Sequence, residues 1–301
     1  MELWRKLANP WGQEVLIGIS WDLMWAALVF GLGFVAVHFV WAYAKSNQSS
    51  GSDLVDLKPD SSKGWNLPVK ILRHAMSERV FHWLMSVAMI VLLVTAFFPI
   101  VGLQFAWVEI HWIAGLVLSA TILYHIIHAT FWQNFWAMWI DKDDIESGKS
   151  ELNNILSNNE KEAPKAGKYP VDHKLFHHAA SVAGLLAIAT GLLMMLRIDT
   201  WFGPADPDKF FTDAQWGVVY VFHGLGGVGL ISLVITHIYF AVRPDKWWIT
   251  KSMFFGWITR DDYLKHHDPE RWVIKKKETP KQGTVASNES ELTYGEGDSS
   301  T

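Results

Sequence analysis

Apolar residues gather into five long runs with almost no charge, separated by polar stretches. The runs extend from about Val15 to Ala44, Val80 to about Gly102, Trp107 to Trp132, Leu175 to Leu196 and Trp216 to Val242. Each exceeds the roughly 20 residues that a helix needs to cross a hydrocarbon core. Lipid offers no partner to an unpaired amide, and five strands of this length could not close a barrel, so the pattern predicts helices. The expected fold class is all-α integral membrane with five transmembrane helices. Residues 46–77 and 141–172, rich in Ser, Asn, Asp and Lys, read as polar connections, and Lys275 to Thr301 as a disordered tail. The N-terminal run is too long for a secretory signal, contains Asp22 and lacks a small-residue cleavage site, so it is expected to stay attached.

Charge sets the expected orientation. Of the 26 Lys and Arg residues, only Arg5, Lys6, Arg197 and Lys209 fall before the first run, between the second and third, or between the fourth and fifth. Basic residues accumulate on the cytoplasmic side of bacterial inner-membrane proteins, which predicts a periplasmic N-terminus and a cytoplasmic C-terminus. A formal charge of −4 and a pI near 6.3 give nucleic acid no footing. Half the residues are hydrophobic, and 18 Trp, 13 His and no Cys accompany them. Trp83, Trp107, Trp112, Trp132, Trp136, Trp139, Trp201 and Trp216 lie at or near run ends, where an indole can bury its ring and keep its N–H wet. Without Cys the chain holds no disulfide, thiolate zinc site, iron–sulfur cluster or covalently attached haem of its own.

Lys, Arg and Asp are absent from the second to fifth runs and Glu109 sits at an end, yet these runs carry His82, His111, His125, His128, His177, His178, His223 and His237. An imidazole in lipid needs a partner, and for any one of them a hydrogen bond between helices would suffice. As a group they are spaced for something else. His111 and His125 are fourteen residues apart, as are His223 and His237. That interval keeps two side chains within about 40° of one helix face and about 21 Å apart along the axis. Two such helices facing each other can hold two metal centres at two depths. Haem iron takes two axial nitrogens, and neutral imidazole supplies them. Gly115 and Gly227 lie four residues after His111 and His223, on the same face, leaving room for a flat macrocycle or a close helix. Such a haem would be b-type, held by coordination and packing.

The chain also repeats itself. Glu78-Arg79-Val80-Phe81-His82-Trp83 with Ser86-Val87-Ala88 parallels His173-Lys174-Leu175-Phe176-His177-His178 with Ser181-Val182-Ala183. The third and fifth runs then correspond through His111 with His223 and His125 with His237. Two related hairpins forming a four-helix bundle, with the first run added outside it, are expected. His111 and His223 fall near the outer face. His82, His125, His177 and His237 fall toward the cytoplasm, which leaves four candidates for one inner haem.

Several segments resemble the gamma subunit of respiratory formate dehydrogenase and related dihaem cytochrome b subunits of molybdenum enzymes, such as thiosulfate reductase. They are Arg79-Val80-Phe81-His82-Trp83, His111-Trp112-Ile113-Ala114-Gly115, Gly167-Lys168-Tyr169 with Lys174, His223 and His237, and Lys265-His266-His267-Asp268-Pro269-Glu270-Arg271-Trp272. Together they span roughly residues 74 to 272. The resemblance implies His111 and His223 as axial ligands of an outer haem b, and His82 and His237 as those of an inner one. It implies electron transfer between menaquinone or ubiquinone in the membrane and an iron–sulfur subunit with a molybdenum or tungsten catalytic subunit on the outer face. The family's quinone-contacting stretch carries Asn and Gln where Pro170 and His173 stand here, so Tyr169, Asp172 and His173 are the candidate quinone residues. The pair His125 and His177, left over, would suit either a third haem or ordinary hydrogen bonding, and the latter is favoured. The expected organisation is an N-terminal transmembrane helix (1–45), a cytoplasmic linker (46–77), a dihaem cytochrome b domain (78–242) and a cytoplasmic C-terminal segment (243–301). Two alternatives compete: a stand-alone b561-type quinone-linked cytochrome, and a His-lined metal or proton transporter, although mid-span acids and prolines, usual in transporters, are missing.

Overall fold

Five helices long and apolar enough to cross a membrane correspond to the five runs: Trp21–Ala44, Met76–Val101, Trp107–Trp132, Val171–Arg197 and Asp213–Val242. The computed structural model describes residues 4–8, 14–49, 67–157, 165–206 and 210–274. The tail from Lys275, expected to be disordered, lies outside the described residues.

The first run begins differently from its expectation. Strands β1 (Trp4–Ala8) and β2 (Glu14–Gly18) pair antiparallel, with Arg5 opposite Ile17, and helix α1 (Ile19–Ser49) follows. Val15 and Ile17 are therefore strand, in keeping with the β preference of branched side chains. Helix α2 (Met76–Phe97) runs into a 3-10 turn, Phe98–Val101, that carries Pro99 as its second residue and closes at Gly102, whose φ of 91° suits a residue without Cβ. Helix α3 spans Trp107–Trp132. Helix α4 (Lys142–Ser157) lies inside the stretch read as a polar connection. Its N-terminus is built by reciprocal bonds: the Asp144 N–H donates to the Asp141 carboxylate and the Asp141 N–H to that of Asp144, while acids crowd the positive end of the helix.

Helix α5 (Val171–Met194) starts four residues before its apolar run, the Lys174 N–H already bonding to the Pro170 carbonyl. Helix α6 (Asp213–Val242) also starts early, because Thr212 and Gln215 form a capping box: each side-chain oxygen accepts the other residue's backbone N–H. Backbone capping, rather than the edge of the apolar run, fixes both starts. Short elements complete the fold: β3 (Lys70–Leu72), α7 (Trp247–Phe255), β4 (Trp257–Thr259) and α8 (Arg260–His266).

The chain divides into two units. The first comprises residues 1–51, 81–127 and 178–240. Within it α6 approaches α5 closely, since a Cβ on Gly226 would lie 3.2 Å from the Ala183 carbonyl oxygen and from the Ala187 Cβ. Small residues allow such an approach between membrane helices. The added helix α1 docks on α6, where Gly31 faces Ile235 and His38 Nδ1 lies 2.8 Å from the Tyr239 hydroxyl, and Trp25 meets Phe97 of α2 edge-on. Large apolar side chains such as Phe30 and Val182 stay exposed, as lipid-facing residues do. Two tryptophans depart from the interfacial expectation. Trp112 and Trp216 are buried, and their indole N–H groups have no hydrogen-bond partner among the described residues. Trp112 is covered by Trp201 and Phe202, and Trp216 by Phe211 and the Arg197 guanidinium.

The second unit comprises residues 52–80, 128–177 and 241–301. Antiparallel β3 and β4 bring Ile71 opposite Ile258, and these pack with Leu67, Tyr263 and Trp272 in an apolar core. The Tyr263 hydroxyl donates to the Trp272 carbonyl. Arg73 is buried beside this core, its Nη1 2.8 Å from His267 Nε2, with Trp248 and Trp272 against the guanidinium. Arginine cannot give up its proton here and must donate, so His267 Nε2 accepts, and its Nδ1–H donates to the Gly167 carbonyl at 2.7 Å. Burial and the adjacent Arg73 push the His267 imidazole down to about 3, keeping it neutral in this role. The end of the stretch read as a linker (46–77) is thus structural, since β3 and Arg73 belong to the core.

Candidate functional site

In the first unit the histidines meet in pairs across helices. His111 of α3 faces His223 of α6 with ring centres 6.1 Å apart, and His82 of α2 faces His237 of α6 at 6.3 Å. Two imidazoles bound to one metal from opposite sides, each about 2 Å from it through nitrogen, have ring centres about 6 Å apart once the roughly 1 Å from nitrogen to ring centre is added on each side. Both pairs meet that spacing. His223 and His237 stand fourteen residues apart on one helix, so the pairs lie about 21 Å apart along it.

The pair of His111 and His223 is oriented by a second set of residues that the periodicity did not single out. Thr95 of α2 donates its hydroxyl to the Val91 carbonyl at 2.7 Å, leaving its oxygen to accept from His111 Nδ1, also at 2.7 Å. Thr190 of α5 repeats the arrangement: it donates to the Leu186 carbonyl at 2.6 Å and accepts from His223 Nδ1 at 3.0 Å, with the Ala187 carbonyl sharing that proton at 3.0 Å. A nitrogen facing a carbonyl or a committed hydroxyl must be the protonated one, which leaves Nε2 of both rings with a free lone pair. Such anchoring fixes the tautomer and orientation of metal-binding histidines. The signal was in the repeat: Thr95 follows His82, and Thr190 follows His177, by thirteen residues.

Space accompanies these rings. A Cβ on Gly227 would meet nothing within 4 Å, and one on Gly115 only a Leu92 methyl at 3.9 Å, so the expected room is present. Gly191 was not anticipated: a Cβ there would come within 3.1 Å of the His223 ring. In the pair of His82 and His237, His82 Nδ1 is buried with no hydrogen-bond partner among the described residues. The His125 ring stacks on Phe81 at 4.1 Å with an interplanar angle of 13°. His177 belongs to the second unit.

The candidate quinone residues also lie in the second unit. Asp172 is exposed and accepts the His173 N–H at 3.0 Å, and Tyr169 carries the Lys168 ammonium over its ring at 5.3 Å. Lys174 is buried and donates to Asp144 at 2.5 Å and to the Trp139 carbonyl at 3.0 Å, while Arg271 reaches the other Asp144 oxygen at 3.1 Å. This is a structural ion cluster. Burial works to raise the Asp144 carboxyl, but the hydrogen bonds from Lys174, the Asp141 N–H and Arg271 outweigh it and hold the group below the usual carboxyl range.

No curated protein matches the chain. Residues 73–256 match the sequence profile of the family described as prokaryotic cytochrome b561, well over half of the chain and a stretch that contains all four paired histidines and both threonines. Helices of membrane-spanning length, imidazoles facing each other in pairs, and this match agree: the chain belongs to the prokaryotic cytochrome b561 family of integral membrane haem b electron-transfer proteins.

Proposed function

We propose that the chain is the dihaem anchor and electron-transfer subunit of a larger oxidoreductase, linking an iron–sulfur subunit and a molybdenum or tungsten catalytic subunit to menaquinone or ubiquinone. The observation that carries the proposal is the two histidine couples that face each other at two levels of one helix, with ring centres spaced as for two imidazoles on one metal. His111 and His223 would hold the outer haem and His82 and His237 the inner one. When bound, each supplies a one-electron Fe(III)/Fe(II) couple. The protein's share is to fix the ring tautomers through Thr95 and Thr190, to exclude water with the apolar helix faces, and to exchange protons at the quinone.

The partner subunits would dock outside, where Trp201 and Phe202 are more than three-quarters exposed. Aromatic anchors of this kind dominate many interfaces. This placement uses the orientation predicted from charge, with the N-terminus in the periplasm of a bacterial inner membrane and the C-terminus in the cytoplasm. A stand-alone quinone-linked cytochrome is the second reading, favoured by the family description itself. Family membership takes the footing from the transporter alternative.

Purified from cells with adequate haem supply, the chain is expected to show dithionite-reducible b-type bands and two haems per polypeptide. Three haems would assign His125 and His177 as ligands, and none would overturn the reading. Partner polypeptides in the purified complex separate the anchor subunit from the stand-alone cytochrome. The inner ligands have their own test. His82→Ala is expected to remove the inner haem and His125→Ala to leave it in place, and the reverse result would assign the fourteen-residue ladder instead.

A further inference from the structure

The second unit holds a carboxylate–imidazole pair that neither histidine couple uses. Glu78 stands in the first turn of α2, and its Oε2 accepts the Ala75 backbone N–H at 3.1 Å, as a third-position acid does in a helix cap. The same oxygen lies 3.2 Å from His74 Nδ1, and the other accepts from Gln133 Nε2 at 3.1 Å. Only 13% of the His74 side chain and 15% of that of Glu78 are exposed. A carboxylate can only accept, so Nδ1 of His74 is the protonated nitrogen and Nε2 carries the lone pair. That nitrogen has no hydrogen-bond partner among the described residues. Carboxylate, oriented imidazole and a free Nε2 make the arrangement by which proteins prepare a general base.

The surroundings say what such a base would serve. His74 precedes by two residues the span that begins at Met76, so it stands at the edge of the lipid, where a quinone headgroup can trade protons with water. The charged groups acting on it are Glu78, Arg73 and Lys168, and Tyr169 acts in turn on Arg73. Lys168 and Tyr169 belong to the stretch that the resemblance implies for quinone contact. We infer that His74, positioned by Glu78, is the residue that exchanges a proton with the hydroquinone of this site. The inference rests on the quinone reading above.

Oxidation of a hydroquinone to a quinone releases two electrons and two protons. The electrons would pass one at a time to a b-type haem, the one-electron acceptor that membership of the family implies. The first hydroxyl proton passes to His74 Nε2, giving an imidazolium paired with the Glu78 carboxylate, and then to water; the second follows by the same route. Reduction of a quinone runs these steps backwards. Burial drives the free His74 imidazole down to about 4, with the Glu78 hydrogen bond opposing and Arg73 and Lys168 adding to the effect. The base is therefore unprotonated throughout the neutral range. That suits the strongly acidic species formed when a hydroquinone loses its first electron.

The test is anaerobic stopped-flow reduction of the haem in the full-length protein by 2-methyl-1,4-naphthohydroquinone between pH 5 and 9. Dithionite-reduced spectra serve as the control for haem content. His74→Ala is expected to slow haem reduction by on the order of 100-fold with an unchanged dithionite spectrum, and added imidazole to restore part of the rate. Glu78→Gln, which keeps acceptor oxygen for the helix cap but loses the charge, is expected to slow it less and to shift the pH profile; it also serves if His74→Ala fails to fold. Wild-type rate and pH profile in both variants would overturn the role of His74 while leaving the quinone site standing. A wild-type protein reduced by dithionite but not by the naphthohydroquinone would overturn the quinone reading, and the inference with it.

Discussion

Replacing His223 by Ala is expected to strip the outer haem and leave the inner one, so that bound haem falls by about half and the dithionite-reduced band keeps only the inner component. His111→Ala should give the same result, because in the proposed arrangement each ring would supply one of the two axial nitrogens of the same haem. The conservative companion is Thr190→Val. It removes the oxygen that accepts from His223 Nδ1 but leaves the Ala187 carbonyl, also 3.0 Å away. Loss of one outer partner of a metal-bound histidine typically costs 10- to 100-fold in metal affinity, and the lower end, about 10-fold, is expected here. Haem titration of the apo-protein measures it. A Thr190→Val protein that binds outer haem as tightly as wild type would show that the carbonyl alone orients the ring.

The second large effect lies in the ion cluster of the second unit. Lys174→Met is expected to destabilise that unit by about 3–5 kcal/mol, since it removes the buried ammonium from a carboxylate that stays buried. Pairing it with Asp144→Leu should recover much of the loss, because an apolar pair replaces the two buried charges while Arg271 keeps Asp141 and Asp143 as partners. Pulse proteolysis across α4 and the start of α5 reads both variants. The wild-type cluster also carries a pH signature. The Asp144 carboxyl is held below its ordinary value in the folded chain, so its contribution is complete above that ordinary value and is lost as pH falls toward the folded one. Acid should loosen this unit over that window and Lys174→Met should blunt the dependence.

Sequence alone reached the spans and the outer histidines because both are written in local periodicity. A fourteen-residue interval maps onto a helix face whatever surrounds it, and an apolar run long enough for lipid has few other conformations. The partners of those residues follow a different rule. Thr95 reads as one more residue in an apolar run, and only folding reveals that its hydroxyl is spent on Val91, leaving the oxygen for His111. His125 shares the fourteen-residue interval, and its stacking on Phe81 of α2 is a contact between helices that no interval announces. Trp112 and Trp216 sit at span ends by position but are roofed by aromatic side chains from another part of the chain. The polar stretches were the least legible. The cluster of Arg73, Gly167 and His267, like that of Asp144, Lys174 and Arg271, joins segments remote in sequence, and no local pattern announces such a meeting.

Those remote meetings impose an order on biosynthesis. Arg73 and His267 are 194 residues apart, and β3 pairs with β4. At synthesis rates of about 5–20 residues per second, roughly 10–40 s pass between the emergence of the two strands. During that interval an edge with open amides, a buried-type arginine and half an apolar core wait in the nascent chain. The membrane helices insert one by one as they appear, whereas the second unit closes only after Trp272 has left the ribosome. A ribosome stalled before that residue would release a chain with its spans in place and its second unit unmade, the form that quality-control proteases would meet first.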